Sequence, residues 1–123
     1  MMGIAGMGSW KRLAGLLGAG VVLGLSMTVT AAHAADTPAG LVVARSNACM
    51  GCHAVDRKLV GPSFQQIAAK YKGDAAAPAK LAQKVKDGGS GVWGVIPMPS
   101  HPRMSDADIR TVVAWVLAGA PEK

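Results

Sequence analysis

Cys49, Cys52 and His53 stand in the run Cys49-Met50-Gly51-Cys52-His53, the C-x-x-C-H arrangement through which a haem is attached covalently. Two closely spaced thiols can reach one edge of a porphyrin and add across its two vinyl groups. The adjacent imidazole is then delivered to the iron from one face. Tethering keeps ring and iron at high effective concentration, so retention no longer depends on non-covalent affinity. Both cysteines of the chain lie in this motif. The competing uses are a structural disulfide, the usual fate of a cysteine pair in an exported chain, and a thiol–disulfide centre without haem. The second lacks the βαβ context that such a motif expects. A zinc site would need further Cys or His ligands.

A second axial ligand must come from elsewhere. Ile96-Pro97-Met98-Pro99 presents one thioether between two prolines, which fix backbone angles and remove two N–H groups. A thioether favours ferrous iron, so a His/Met pair raises the reduction potential. Met98 ranks first, with His101 and Met104 as alternatives; His101 would give a lower-potential two-imidazole centre. Met104 stands beside a helix start and reads as a packing residue. Met50, inside the motif, is expected to face away. No acid/base pair or nucleophile triad accompanies these residues, so no catalytic residue is assigned.

The elements that must hold this set read as helices separated by Gly- and Pro-rich loops, with no alternating pattern long enough for a strand. A first helix is predicted over Thr37–Ala48, with Leu41, Ala44 and Ala48 on one face. A second spans Ser63–Tyr71, where Phe64, Ile67, Ala68 and Tyr71 recur at helical spacing, with Gly73 beyond its end. A third runs from Pro78 to Asp87, ridged by Leu81 and Val85 and stopped by Gly88-Gly89. The last is marked by Ser105-x-x-Asp108, a capping box with Asp in place of Glu. Ile109, Val112, Val113, Val116 and Trp115 follow, and Gly119 and Pro121 close the segment. Between the last two helices, Gly88–Met104 reads as a long irregular stretch, and its length suggests a functional loop.

Lys11 and Arg12, the charge-free apolar run Leu13–Thr30 and then Ala32-His33-Ala34 describe a secretory signal peptide over residues 1–34. Cleavage after Ala34 leaves one small domain, 35–123, with no stable membrane insertion. Its aromatics are Phe64, Tyr71, Trp93 and Trp115, few for a core, so a cofactor is expected to fill the middle. The full chain carries a formal charge of +6. Without Lys11 and Arg12 about +4 remains, which favours acidic partner surfaces. The basic residues are scattered and not interleaved with aromatics, which argues against nucleic acid.

These residues taken in order resemble the small bacterial class I cytochromes c of the cytochrome c-551 type. The resemblance covers about Leu41–Leu117 and rests on Cys49-x-x-Cys52-His53, Val60-Gly61-Pro62, Leu81-Ala82-Gln83, Gly91-Val92-Trp93-Gly94, Ile96-Pro97-Met98-Pro99 and Trp115-Val116-Leu117. It implies an all-α class I fold of about four short helices wrapped around one covalently attached haem c with its iron. It implies that Pro62 offers its carbonyl to the His53 N–H, that Gly61 lets the chain turn close to the ring, and that Trp93 donates to a haem propionate. Lys84 stands where relatives often have Arg and would pair with a propionate, without the bidentate fork. Where relatives carry Pro-Pro-Asn after the methionine, this chain has Pro99-Ser100-His101-Pro102. An imidazole there brings a group of a kind that titrates near neutrality, so a pH-dependent potential is expected.

The resemblance further implies a monomeric periplasmic electron carrier, not an enzyme. It would shuttle between respiratory membrane complexes, such as a quinol–cytochrome c reductase, and a nitrite reductase or terminal oxidase. Docking is expected around the haem edge, near Met50-Gly51, Val60-Gly61, Val92 and Met98-Pro99, with a rim of lysines. A ligand-binding haem sensor, in which Met98 dissociates, is the alternative of another class.

Overall fold

The computed structural model describes residues 36–123; the segment expected to be a signal peptide lies outside the described residues. The elements are α1 (Ala39–Ser46), a 3-10 turn (Cys49–Gly51), α2 (Phe64–Lys70), α3 (Ala77–Asp87) and α4 (Asp106–Leu117). The fold is all-α. Among the described residues the one pairing of strand type is an isolated antiparallel bridge between Gly89 and Met98, and no helix is long and apolar enough to cross a membrane.

The first helix is shorter than Thr37–Ala48, for reasons visible at each end. Pro38 occupies the N-cap position with an extended ψ of 133°. At the other end the Asn47 side chain donates to the Val43 carbonyl at 2.9 Å, a local bond that competes with helix continuation. Ala48 then takes a left-handed φ of 58° and is exposed rather than on the buried face. Its expected neighbours on that face, Leu41 and Ala44, are buried.

Two caps with similar sequences behave differently. At α2 the Ser63 hydroxyl accepts from the Gln66 N–H and the Gln66 side chain accepts from the Ser63 N–H, a complete capping box. At α4 Ser105 accepts from the Asp108 N–H at 3.0 Å, but no return bond from Asp108 forms. Aspartate is one methylene shorter than the Glu or Gln of the full motif. α3 begins one residue earlier than Pro78. Asp74 organises that start, accepting from the Ala76 N–H and the Lys80 ammonium, each at 2.8 Å.

The core forms where α4 packs on α1, α3 and α2. Leu41, Ile109, Val112, Val113 and Val116 are buried there, each worth about 1.5–3 kcal/mol of transfer free energy. α1 approaches α4 at Gly40, where an added Cβ would fall 2.0 Å from the Trp115 Cβ. Phe64 meets Trp115 edge to face at 5.1 Å, and the Trp115 indole N–H donates to the Pro121 carbonyl at 2.8 Å. Met104 is buried in this same cluster, as a packing residue should be.

Candidate functional site

The attachment motif follows directly on the end of α1. Left-handed Ala48 turns the chain out of the helix, and the Cys52 and His53 N–H groups both close on the Cys49 carbonyl, at 3.2 and 3.0 Å. This tight turn sets Cys49, Cys52 and His53 on the wall of one cavity of about 910 Å³, at the large end of the range for cofactor sites, about 300–1,000 Å³. Both thiols are free. Burial pushes the Cys49 thiol above its ordinary value, opposed by a backbone hydrogen bond and reinforced by nearby Cys52. Cys49 therefore faces the cavity as a neutral thiol at neutral pH.

His53 is buried, and its Nδ1 lies 2.7 Å from the Pro62 carbonyl oxygen. A carbonyl can only accept, so Nδ1 carries the proton and the lone pair is left on Nε2. The ring is held on two further sides. Phe64 stacks on it, with centroids 5.2 Å apart and planes 23° from parallel. Gly61 passes so close that a Cβ would stand 2.7 Å from the His53 Cε1. The Gly61 N–H is itself bonded to the Cys52 carbonyl at 2.8 Å, which ties the loop Val60–Pro62 to the attachment turn.

The Gly88–Met104 stretch is less irregular than its sequence suggests. Gly89 and Met98 exchange both backbone hydrogen bonds, at 2.9 and 3.0 Å. Gly88 sits where a Cβ would fall 2.4 Å from the Met98 carbonyl. Its φ of 70° is one that side chains rarely adopt. This pinning puts Met98, half-buried, on the cavity wall. His101 lines the same cavity, whereas Met104 and Met50 do not; Met50 packs against the core. The structure thus brings Met98 and His101 to the site and withdraws Met104 from it.

Pro62, Lys84 and Trp93 also line the cavity. The Lys84 ammonium donates to the Gly88 carbonyl at 3.2 Å, so it stands at the C-terminal end of α3. Trp93 is partly exposed, with the Lys70 ammonium 5.4 Å from its ring centroid. Neither this cation–π contact nor the Phe64 stack on His53 is foreseen from sequence. Phe64 had a signal only as an apolar position of α2. α4 contributes more than packing, because Val112, Val113 and Val116 close the inner wall.

The residues present fit a haem. Among the described residues no group of three or more His, Cys, Asp or Glu side chains is placed to hold a metal ion. An iron here would take its equatorial donors from a macrocycle, and the cavity is apolar and large enough for one. Among the described residues one buried side-chain polar atom, His101 Nδ1, has no hydrogen-bond partner.

Comparison with known proteins agrees with that geometry. The family model described as Cytochrome c matches residues 39–120. Cytochrome c-551 of Allochromatium vinosum is 45% identical over 92 residues, covering 75% of this chain and 94% of that protein. Cytochrome c-551 of Azotobacter vinelandii is 52% identical over 73 residues, covering 59% of this chain and 88% of that protein. Among solved structures, wild-type Nitrosomonas europaea cytochrome c552 aligns with a TM-score of 0.62 at 46% identity, covering 64% of this chain and 98% of that one.

Proposed function

The chain belongs to the cytochrome c family, and from that premise we propose that it is a periplasmic carrier whose haem iron is held between His53 and Met98. As a family member it carries covalently bound haem c and moves electrons; it is not an enzyme. The single C-x-x-C-H motif makes it a monohaem protein. When bound, the haem supplies an iron that alternates between ferric and ferrous states, one electron at a time.

The remaining roles belong to the chain. Cys49 and Cys52 anchor the macrocycle through thioether bonds. The Pro62 carbonyl fixes the His53 tautomer, so that Nε2 is the nitrogen free to ligate. Met98 supplies a soft sulfur from a loop pinned at Gly89, raising the potential relative to a second imidazole. Val112, Val113 and Val116 keep water from the inner wall. Trp93 and Lys84 would donate to the haem propionates. Held by His53 and Met98 together, a bound haem would offer no open iron position to a substrate.

Exposed Val60 and Val92, 53% and 48% accessible, line the cavity together with Lys58 and Lys84. They offer an apolar docking face within a basic rim. The partners proposed are respiratory membrane complexes, such as a quinol–cytochrome c reductase, on one side and a nitrite reductase or terminal oxidase on the other. Export rests on Lys11, Arg12, the apolar run and Ala32-His33-Ala34, with mature residues 35–123.

The observation that carries this reading is one cavity lined by both motif sulfurs, an imidazole with its Nε2 lone pair free, and Met98. The test is the visible spectrum of the ferrous protein at neutral pH with and without carbon monoxide. A carrier with both axial positions held shows no shift. A prompt shift would mean that Met98 leaves the iron and would favour a ligand-binding sensor.

A further inference from the structure

We propose that His101 is a reserve axial ligand, an imidazole on the Met98 loop that takes the iron when the Met98 thioether is lost. The inference rests on Met98 as the resident ligand. His101 is the second imidazole of the cavity wall; its Nδ1 is buried against the protein, which leaves Nε2 as the nitrogen that can meet the cavity. With the ring proton on Nδ1, Nε2 keeps a lone pair, the form in which imidazole binds metals.

The two side chains have separate backbone anchors. Met98 is held by its bridge to Gly89, whereas the His101 N–H bonds to the Val85 and Lys86 carbonyls at the end of α3, at 3.1 and 3.2 Å. The His101 carbonyl in turn accepts from the Met104 N–H at 3.1 Å. Losing the thioether therefore leaves the mooring of His101 intact. The basic side chain that α3 brings to this wall, Lys84, is a poor competitor. Its ammonium has no lone pair and is engaged with the Gly88 carbonyl. Lys86 is ion-paired with Asp106.

The exchange substitutes one neutral two-electron donor for another, so the charge and oxidation state of the iron do not change. What changes is the potential, which falls when nitrogen replaces sulfur, and what is preserved is a closed sixth position. His101 would keep the iron closed to small ligands after the thioether is lost.

The test uses the matured holoproteins Met98→Ala and Met98→Ala/His101→Ala at pH 7, with ferric electron paramagnetic resonance and absorption spectra. The single variant is expected to lose the sulfur-to-iron charge-transfer band yet stay low-spin, with a lowered potential. The double variant is expected to become high-spin, and added free imidazole should return it to low-spin. A high-spin single variant indistinguishable from the double overturns the reserve role and leaves Met98 as resident ligand. A single variant that retains the charge-transfer band overturns the Met98 reading and this inference with it. Met98→Leu, which keeps the volume but has no donor sulfur, asks the same question if the truncated side chain prevents maturation.

Discussion

His53 is joined to Pro62 by a 2.7 Å hydrogen bond from the imidazole Nδ1 to a backbone carbonyl. That one bond couples local chain geometry to metal chemistry. It selects the tautomer, sets the ring orientation and leaves the lone pair on Nε2. Contacts of this kind fix a ligand's orientation and raise its basicity. Because the acceptor is a backbone atom, it cannot be deleted by substitution, but the approach of the loop that carries it can be disturbed.

Gly61 is the place to do so. An added Cβ would stand 2.7 Å from the His53 Cε1 and 3.0 Å from Nδ1, so either the ring or the loop must move. Gly61→Ala is expected to destabilise the holoprotein by about 1–3 kcal/mol, the usual range for overpacking. It should also shift the reduction potential. Guanidinium unfolding and voltammetry check both, and an unchanged potential would mean that the imidazole is not held as described.

A second glycine tests the core without touching the site. A Cβ at Gly40 would overlap the Trp115 Cβ and Cγ, at 2.0 and 2.4 Å, whereas one at Gly51 meets nothing within 4 Å. Gly40→Ala is expected to cost at least about 1–3 kcal/mol. Gly51→Ala should stay within about 1 kcal/mol of wild type. Equal midpoints for the two variants would contradict the α1–α4 packing.

How much of this was legible in the sequence depended on how far apart the cooperating residues lie. Cys49, Cys52 and His53 are contiguous because the chemistry demands it, and Ile109 to Val116 repeat with the helical period, so both were readable. Pro62 as the partner of His53 came from family resemblance rather than from the residues themselves. The Phe64 stack on His53, Lys70 over Trp93 and the Gly89–Met98 bridge were not readable. Each depends on where a loop folds back, and no periodicity encodes that. The early end of α1 turned on a single side-chain bond, Asn47 to the Val43 carbonyl, which propensity alone does not weigh.

The contact between α3 and the start of α4 carries a pH dependence. The Lys86 ammonium donates to Asp106 at 2.7 Å, and that hydrogen bond, aided by the charge of Lys86, holds the Asp106 carboxyl below the usual carboxylate range. A lowered folded value means that the stabilisation is complete above the ordinary aspartate value, about 3.9. It is lost as pH falls through the lower folded value. Both groups are exposed, so the effect is small and weakened by salt. The gap in unfolding midpoint between wild type and Asp106→Asn should be open at pH 7 and close in acid; a gap that stays constant would count against the pair.

The proposed docking face makes a kinetic prediction. Val60→Glu and Val92→Glu place a carboxylate on the exposed apolar rim, where it must be desolvated on contact and is repelled by an acidic partner. Electron exchange with the physiological partner should slow several-fold while the absorption spectrum stays as in wild type. Unchanged rates for both variants would put the docking surface elsewhere.

The ferric absorption spectrum of the matured protein tests the central ligation most directly. With the iron between His53 and Met98, a weak long-wavelength band from sulfur-to-iron charge transfer is predicted in wild type. It should be retained in Met104→Leu and absent in Met98→Ala. A wild-type spectrum without that band, or a band that survives Met98→Ala, would contradict the account.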